Sequence, residues 1–216
     1  FDEVILATGI VPRHLDLPGS DMPHVLSYTQ VLRDKLPVGK RVAIIGAGGI
    51  GFDTAEYLSQ FGQSTSLNSA AFAEEWGIDL QLKQRGGLAK DGMHPTHSPR
   101  KIYLLQRKTS KVGEGLGKTT GWIHRVSLQK RGVIMINGAQ YHHIDEHGLH
   151  LIRDGQIECL PVDNVIICAG QESQQALLAP LQNMGKTVHL IGGADVAREL
   201  DARRAIDQGT RLALTI

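Results

Sequence analysis

Short apolar runs, most of them ended by glycine, recur along the chain and predict buried strands. Residues 41–45 and 165–169 are almost continuously apolar, which is typical of strands covered on both faces of a parallel sheet. Residues 3–7, 101–105 and 188–191 have the same character. Segments with apolar residues at helical spacing lie between these runs, so the pattern alternates strand and helix and predicts an α/β fold.

The predicted helices follow the apolar runs. One covers residues 28–36, with Ser27 as its N-cap. Another begins after Gly51, carries Ala55 and Phe61 on its apolar face and ends at Gly62. Further helices are predicted at three places: residues 70–76, residues 120–131 and from residue 202 to the end.

Two regions depart from this alternation. Residues 63–99 are rich in Ser, Asn, Gln, Gly, His and Pro, and we interpret them as an excursion from the sheet. In residues 133–160, short apolar segments alternate with turn residues such as Asn137-Gly138 and Asp154-Gly155, which predicts an antiparallel meander. The strands expected in the meander are residues 133–136, 140–144, 149–153 and 156–160.

Composition narrows the class of protein. Of the 216 residues, 41% are hydrophobic, enough to bury a core, and the net charge of +1 creates no field that favours nucleic acid or an anionic membrane. We therefore expect neither as a partner. Cys159 and Cys168 form no Cys-x-x-Cys pair, which favours a reducing, cytoplasmic setting. Because the chain opens at Phe1 and runs directly into an apolar strand, we expect an internal piece of a longer polypeptide.

A glycine motif stands between the apolar run 41–45 and an amphipathic helix. In Gly46-x-Gly48-x-x-Gly51, the first glycine permits a tight turn, the second lets a pyrophosphate approach the backbone, and the third lets helix and strand pack closely. The helix N-terminus adds free N–H groups and the positive end of a dipole. The motif predicts a dinucleotide site, and the alternative is a glycine-rich turn that binds nothing.

The residues after the second strand bear on which dinucleotide is bound. An NAD site usually has an acid about 20 residues after the motif, which binds the ribose 2′-hydroxyl. Residues 66–72 contain no acid, and if 63–99 is an insertion, the second strand is 102–105. Arg107 and Lys108 follow that strand, and two cations suit a 2′-phosphate, so we predict NADP(H). The alternative is a solvated basic turn.

Two other chemical signatures are incomplete. The loop from Gly113 to Thr119 has the wrong spacing for a Walker loop because position 112 is Val. Its position in the chain still allows it to line a cofactor groove. Cys168 lies inside an apolar run and is predicted to be a packed core residue. The chain contains no Gly-x-Ser-x-Gly elbow, so a hydrolase has no support, and we predict no catalytic residue.

Histidines cluster in the meander and again in the insertion. His142 and His143 are adjacent in a predicted strand, so their rings are expected to point to opposite faces. We therefore interpret them as surface residues of a hairpin and predict no metal site. The same interpretation is applied to His147 and His150 in the meander. His94 and His97 lie in the loop of the insertion, and no metal site is predicted there either.

Several further segments carry a family resemblance. Residues 2–9 (DEVILATG) and 163–170 (DNVIICAG) resemble each other and the strands that close a nucleotide-binding half in flavoprotein pyridine-nucleotide reductases. Residues 188–196 with 200–206 look like the returning FAD segment of those enzymes, although Gly-Asp after the last strand is replaced by Gly192-Gly-Ala-Asp195. Residues 105–108, 116–122 and the insertion are similar to the C-terminal part of bacterial-type NADPH-dependent 2,4-dienoyl-CoA reductases, within the wider circle of old-yellow-enzyme-like multidomain flavoproteins.

The resemblance implies a Rossmann-like FAD/NAD(P)-binding fold with an NADP(H) domain inserted in a truncated FAD domain. The NADP(H) domain is residues 38–170, with its insertion at about 63–99, and the partial FAD domain is residues 1–37 and 171–216. The expected cofactor-binding residues are Gly46, Gly48, Gly49, Ile50, Gly51, Asp53, Arg107, Lys108, Lys118, Ala169, Gly170, Ala7, Thr8, Gly9, Gly193 and Asp195.

The same resemblance implies a larger enzyme. In it, this chain would bind NADPH and deliver hydride to FAD, whose site is incomplete here. A TIM barrel with FMN and a 4Fe–4S cluster, together with the first half of the FAD domain, would be supplied by the rest of the polypeptide and would reduce a 2,4-dienoyl-CoA in fatty-acid β-oxidation. The alternative is a structural module that binds an ADP-type nucleotide and transfers nothing.

Overall fold

A computed structural model describes residues 1–198 and 202–216. The chain forms two compact units. The first unit comprises residues 1–14 and 170–216, and the second unit comprises residues 15–169. Among the described helices, none has both the length and the apolar character needed to cross a membrane.

The elements alternate much as the apolar pattern predicts. Through the described residues, the strands are β1 (Glu3–Leu6), β2 (Ile10–Pro12), β3 (Val25–Ser27), β4 (Arg41–Ile45), β5 (Lys101–Leu105), β6 (Ile134–Ile136), β7 (Gln140–Asp145), β8 (Gly148–Arg153), β9 (Gln156–Pro161), β10 (Asn164–Ile167), β11 (Gln171–Ser173) and β12 (Thr187–Leu190). The α-helices are α1 (Tyr28–Leu32), α2 (Gly49–Ser59), α3 (Ser69–Trp76), α4 (Gly121–Lys130), α5 (Leu178–Asn183) and α6 (Ala202–Ala213). Short 3-10 turns cover Thr65–Leu67, Arg85–Gly87 and Gly192–Ala194.

A five-stranded parallel sheet, in the order β3-β10-β4-β5-β6, forms the centre of the second unit. Successive residues of β4 face opposite sides of it. Val42 and Ile44 pack in one core cluster with Phe52 of α2. Ala43 and Ile45 pack in a second cluster with residues of the meander β7-β8-β9. Because both faces are covered, β4 is continuously apolar, and the predicted α/β fold is confirmed.

β6 does not belong to the meander. The sequence pattern assigned residues 133–136 to it, whereas β6 pairs in parallel with β5, with Tyr103 opposite Ile134. The meander therefore contains β7, β8 and β9. The prediction was wrong because a short apolar run has the same pattern in a parallel and an antiparallel pair, and only α4, which crosses over between β5 and β6, decides between them.

Two helices end earlier than predicted. Ser27 caps α1 as expected, accepting the N–H of Gln30 at 3.3 Å, but α1 ends at Leu32. α2 ends at Ser59, because the next residue is extended, and the side chain of Phe61 is 76% exposed. The predictions that Phe61 lies on the apolar face of the helix and that Gly62 ends it are therefore wrong.

A β-bulge overturns the expected orientation of two histidines. The pairing of β7 with β8 shifts in register between Tyr141 and His143. A bulge inserts an extra residue and breaks the alternation of side chains, so the rings of His142 and His143 come together, with their Nδ1 atoms 2.7 Å apart. The prediction that the two rings point to opposite faces is wrong.

Residues 63–99 supply no strand to the central sheet among the described residues, which confirms that they are an excursion from it. Their α3 carries Glu75, whose carboxylate pairs with the Arg131 guanidinium at 2.6 Å and accepts a hydrogen bond from the Thr65 hydroxyl. The two charged side chains are only 7% and 11% exposed. This buried ion pair fastens the insertion to the end of α4.

The first unit is built on two strand pairs. β1 pairs in parallel with β12, from Glu3 opposite Thr187 to Leu6 opposite Leu190, and β2 pairs antiparallel with β11. The predicted C-terminal helix is present as α6. Residues 199–201, part of the segment that resembles a returning FAD strand and helix, lie outside the described residues.

The boundary between the units differs from the predicted domain boundary at the N-terminal side. The sequence grouped residues 15–37 with the first unit, whereas they lie in the second. The reason is that β3 adds to the edge of the central sheet, with Val25 opposite Val165 of β10. Which cofactor each unit binds stays a prediction.

Candidate functional site

The three motif glycines meet different surroundings. Gly46 has φ +108°, which residues with a side chain rarely adopt, and its N–H donates to the Leu105 carbonyl at 2.9 Å. A Cβ on Gly51 would overlap the Gly46 carbonyl oxygen, so glycine is needed for α2 to start this close to β4. Beside Gly48 the space for a Cβ is open, with no described atom within 4 Å beyond its neighbours. The turn therefore leaves room at the N-terminus of α2.

The loop after β5 is held by its own backbone and side chains. Gln106 Nε2 donates to the carbonyls of Lys108 and Ser110, at 3.1 and 2.7 Å, and the N–H of Gly138 donates to the Lys108 carbonyl at 2.9 Å. The side chains of Arg107 and Lys108 are exposed, and no ion pair between described residues includes either. Two uncompensated cations thus stand on a fixed loop.

One cavity of the second unit collects the ends of three parallel strands. Its volume is about 530 Å³, within the range of about 300–1,000 Å³ usual for ligand pockets. It is lined by Gly46 and Gly48 after β4, Arg107 and Lys108 after β5, and Ala169 after β10. The second strand predicted from the sequence is confirmed, because β5 pairs in parallel with β4 from Arg41–Lys101 to Ile45–Leu105.

The loop with the incomplete Walker spacing also reaches this cavity. Glu114 and Gly115 are among its lining residues, as the sequence left open. Gly113, which precedes them, has φ +77°, and a Cβ there would lie 2.5 Å from the ring of Phe52, so glycine is needed for the loop to pack on α2. Glu114 is the acidic residue among those that line the cavity.

Tyr141 lines the same cavity, and the sequence analysis did not single it out. Burial raises the pKa of its phenol, and the charge of Arg107 only partly opposes that shift, so the hydroxyl is neutral at physiological pH. Tyr141 lies on β7, next to the bulge. No sequence signal marks it, because only the packing of the meander against the sheet brings it to the cavity.

Other predicted residues of the second unit lie outside the cavity lining. Ile50 packs against the core cluster of α2, and Gly51 is buried against β4. Gly49 begins α2, with open space where a Cβ would stand. Asp53 is exposed on α2, and Lys118 is exposed in the loop before α4.

The first unit brings together two loops that the resemblance singles out. Because β1 and β12 are parallel, Ala7, Thr8 and Gly9 leave the sheet at the same edge as the turn that contains Gly193. A Cβ on Gly193 would lie only 3.1 Å from the backbone of Gly9. Gly9 has φ +74°. The close approach of two glycine-containing loops leaves backbone, with few side chains, at this edge.

Asp195 and Gly170 also belong to the first unit. The Asp195 carboxylate accepts a hydrogen bond from Gln208 Nε2 of α6 at 2.7 Å, and the Oε1 atom of the same Gln208 accepts the N–H of Gly192 at 2.8 Å. α6 therefore holds the turn after β12 in place. Gly170 has φ +89° and packs against the side chain of Arg13.

The lining of the cavity in the second unit fits the phosphate groups of a dinucleotide. The open space beside Gly48 would be filled by a Cβ, and α2 begins there without a side-chain cap, at a helix N-terminus of the kind that favours an anion. The two cations suit an additional phosphate. The buried thiol of Cys168, whose pKa is raised to about 12 by burial, donates to Thr54 Oγ1 at 3.6 Å and is a core residue as predicted.

Comparison with known proteins identifies the family. Residues 1–203 match the family model of pyridine nucleotide-disulphide oxidoreductases. The chain belongs to this family. Membership confirms the predicted Rossmann-like FAD/NAD(P)-binding fold and makes the chain part of an oxidoreductase family whose members bind FAD and a pyridine nucleotide.

Relatives are reductases of several kinds. A metal reductase of Desulforamulus reducens is 25% identical over 200 residues, which are 93% of this chain and 29% of that protein. A bilirubin reductase of Mediterraneibacter gnavus is 26% identical over 213 residues, 96% of this chain and 26% of that protein. A cinnamate reductase of Clostridium sporogenes is 44% identical over 66 residues, 31% of this chain and 10% of that protein. The chain spans at most 29% of the length of these relatives.

Solved structures share the fold over nearly the whole chain. A 2-naphthoyl-CoA reductase complex has a TM-score of 0.73 at 19% identity and covers 100% of this chain and 27% of its own. Histamine dehydrogenase from Rhizobium sp. 4-9 has a TM-score of 0.69 at 17% identity, over 99% of this chain and 30% of its own. Thioredoxin reductase of T. acidophilum has a TM-score of 0.59 at 17% identity, over 98% of this chain and 64% of its own.

Proposed function

We propose that the second unit binds NADPH and presents it to FAD, as the nucleotide-binding part of a larger oxidoreductase. The observation that carries this proposal is the pair Arg107 and Lys108, which lines the same cavity as Gly46 and Gly48. An NAD site usually has an acid at the end of its second strand. In this chain the second strand is β5, and the residues that directly follow it include the two cations and no acid. Glu114, the acid of the cavity, comes from a different loop.

Each group in the cavity has a physical task. The N–H groups at the start of α2 bind the pyrophosphate, and Gly48 leaves it room. Arg107 offers a rigid fork of donors to the 2′-phosphate, while Lys108 contributes a point charge. The bonds from Gln106 keep the loop of both cations ordered before the ligand arrives. When bound, NADPH supplies the hydride, and this chain holds and orients it.

The loops of the first unit are assigned to part of the FAD site. FAD would meet Ala7, Thr8 and Gly9 after β1 and Gly193 after β12, which leave the sheet at one edge. Asp195 is oriented by Gln208 and is the acid nearest in sequence to that turn. The remaining FAD contacts would come from other parts of the polypeptide, whose relatives are much longer than this chain.

The full enzyme is proposed to be a bacterial-type 2,4-dienoyl-CoA reductase. Residues 105–108 and 116–122 resemble that family, and the similar structure of a 2-naphthoyl-CoA reductase belongs to another reductase of a CoA ester. In this proposal FMN and a 4Fe–4S cluster would be held outside this chain, by the rest of the polypeptide, and would supply the redox chemistry that reduces the dienoyl-CoA. The second candidate function is a structural module that binds an ADP-type nucleotide. The open space in the glycine turn would by itself also accept the phosphates of such a nucleotide.

Calorimetric titration of the purified chain with NADPH, NADH and ADP tests these alternatives. We expect NADPH to bind most tightly. Arg107→Ala should weaken NADPH about ten- to a hundredfold, because a hydrogen bond to a charged group contributes about 1.5–3 kcal/mol, and should leave NADH almost unchanged. Lys108→Ala should cost less, since its charge is not bidentate.

Lys130→Ala is the matched control, because it removes an exposed cation of the same unit that does not line the cavity. It should leave the preference for NADPH over NADH unchanged. If Arg107→Ala weakens NADPH and NADH equally, the loop does not bind the 2′-phosphate. If ADP binds as tightly as NADPH to the parent chain, the structural module is the better description.

A further inference from the structure

The outer face of the meander carries a cluster of possible metal ligands. One nitrogen of His143, one nitrogen of His150 and one carboxylate oxygen of Asp145 all lie within 4.8 Å of one another. His150 Nε2 is 2.9 Å and His143 Nε2 is 3.7 Å from Asp145 Oδ2. The three side chains are partly buried, at 14%, 30% and 34% exposure. None of them lines the nucleotide cavity.

The backbone of the hairpin orients the carboxylate. Asp145 Oδ1 accepts the N–H groups of His147 and Gly148, at 2.9 and 3.2 Å, and this leaves Oδ2 facing the two rings. Oδ2 of Asp145 is therefore the carboxylate oxygen that faces an ion bound between the rings.

The histidines are also oriented by their neighbours. The bulge in β7 places His142 Nδ1 2.7 Å from His143 Nδ1, so the Nε2 atom of His143 is the one left for another partner. A second contact that fixes one ring nitrogen and frees the other is typical of metal-binding histidines. His150 Nε2 is buried and, despite its short distance to Asp145, makes no hydrogen bond of good geometry with any described residue.

We propose that His143, Asp145 and His150 form a binding site for one divalent transition-metal ion. A tetrahedral ion with bonds of about 2.1 Å keeps its ligand atoms about 3.4 Å apart, and the distances of 2.9 and 3.7 Å in this cluster lie on either side of that value. Two imidazoles and one carboxylate suit Zn²⁺, Co²⁺, Ni²⁺ or Cu²⁺ and do not suit Mg²⁺ or Ca²⁺, which prefer oxygen ligands.

Binding requires a small movement of the rings. His143 and His150 are stacked, with centroids 3.9 Å apart and planes inclined by 14°, so the rings must tilt for both Nε2 lone pairs to meet one ion. Three protein ligands leave a fourth position open to water. Cys159 lies opposite His150 in the pairing of β8 and β9, but its sulfur is not among the clustered atoms, so it is not assigned as a ligand.

Titration of the full, tag-free chain with Co²⁺ tests the site, because tetrahedral Co²⁺ gives an intense visible spectrum. We expect saturation at one Co²⁺ per chain and displacement of Co²⁺ by Zn²⁺, whereas Mg²⁺ should not compete. We expect the dissociation constant for Co²⁺ to rise by at least about 10- to 100-fold in each of three variants: His150→Gln, His143→Ala and Asp145→Asn. A loss of this size is found even when the substituted residue only hydrogen-bonds to a metal ligand.

Two variants serve as controls on the same hairpin. His147→Ala removes an exposed histidine but keeps the backbone N–H that Asp145 accepts, and Cys159→Ser removes the neighbouring thiol. Both should bind Co²⁺ within about threefold of the parent, well below the loss expected for a ligand. Far-UV circular dichroism confirms that every variant is folded. Absence of saturable binding, equal affinity in His150→Gln, or a loss in either control as large as in the ligand variants would overturn the proposal. NADPH binding plays no part in this readout.

Discussion

At the scale of single residues, Gly48 and Gly51 belong to one motif but are glycine for different reasons. A Cβ at residue 48 would stand in open space, whereas a Cβ at residue 51 would overlap the carbonyl oxygen of Gly46. The first glycine is therefore not needed for the fold in the absence of a ligand, and the second is. Substitution of each should separate nucleotide binding from folding.

We expect Gly48→Val to fold like the parent and to lose NADPH affinity by at least about a hundredfold, equivalent to about 2.7 kcal/mol, because the side chain fills the space assigned to the pyrophosphate. Calorimetric titration measures the affinity, and urea unfolding measures the stability. Unchanged binding of NADPH to this variant would show that the pyrophosphate lies elsewhere.

Gly51→Ala is the matched substitution at the other end of the motif. Its added methyl must push α2 away from β4, and we expect a loss of at least about 1–3 kcal/mol in the free energy of unfolding, the usual cost of overpacking a tight contact. Urea unfolding of the variant and the parent gives this number. A variant as stable as the parent would mean that α2 can move away from the turn without cost.

At the scale of elements, a buried ion pair joins the insertion to the rest of the second unit. Glu75 of α3 and Arg131 after α4 are both nearly buried, and their charges meet at 2.6 Å. Removing one partner leaves the other charge buried without compensation, which costs about 3–5 kcal/mol. The ion pair therefore stabilises the packing of residues 63–99 against the end of α4, beside the hydrogen bond from the Ser98 N–H to the Arg131 carbonyl.

We expect Arg131→Met to lower the free energy of unfolding by about 3–5 kcal/mol, or to release the insertion as a separate early transition. Lys130→Met, at the exposed neighbouring position, should be nearly neutral. Combining Arg131→Met with Glu75→Gln should recover part of the loss, since no buried charge is then left unpaired. Urea unfolding of the parent, of the single variants Arg131→Met, Glu75→Gln and Lys130→Met, and of the double variant measures these changes, and an additive double variant would contradict the coupling.

At the scale of the whole molecule, the chain contains a single Gly-x-Gly-x-x-Gly motif, and the structure places it in the second unit. The strand, glycine loop and helix that would hold the FAD pyrophosphate are not among these 216 residues. We therefore expect the purified chain to bind NADPH and not FAD.

We expect the chain to purify without flavin absorbance and to be stabilised by NADPH. A ligand at about one hundred times its dissociation constant stabilises by about 2.7 kcal/mol, which raises the melting temperature by about 5–10 °C for a chain of this size. FAD at the same concentration should leave the melting temperature unchanged. A stoichiometric flavin spectrum would show that the loops of the first unit suffice to hold FAD.

The sequence by itself determined the strand β4, the glycine turn and the basic loop after β5, whereas α2 begins at Gly49, two residues before the predicted start after Gly51. These features are local: an apolar run, three glycines and two cations within a few residues carry their own physical reason. It also predicted the excursion at residues 63–99, because polar composition breaks the alternation of strands and helices. The bounds of β4 and β5 are those predicted.

Only the tertiary structure decided which strand β6 pairs with, that Tyr141 reaches the nucleotide cavity, and that His143, Asp145 and His150 lie together. Each of these depends on how distant segments pair or pack. A bulge of one residue reverses the side to which a strand residue points, and no local pattern around His142 marks where that bulge falls. Local periodicity specifies an element, whereas the partner across the sheet specifies which of its side chains meet.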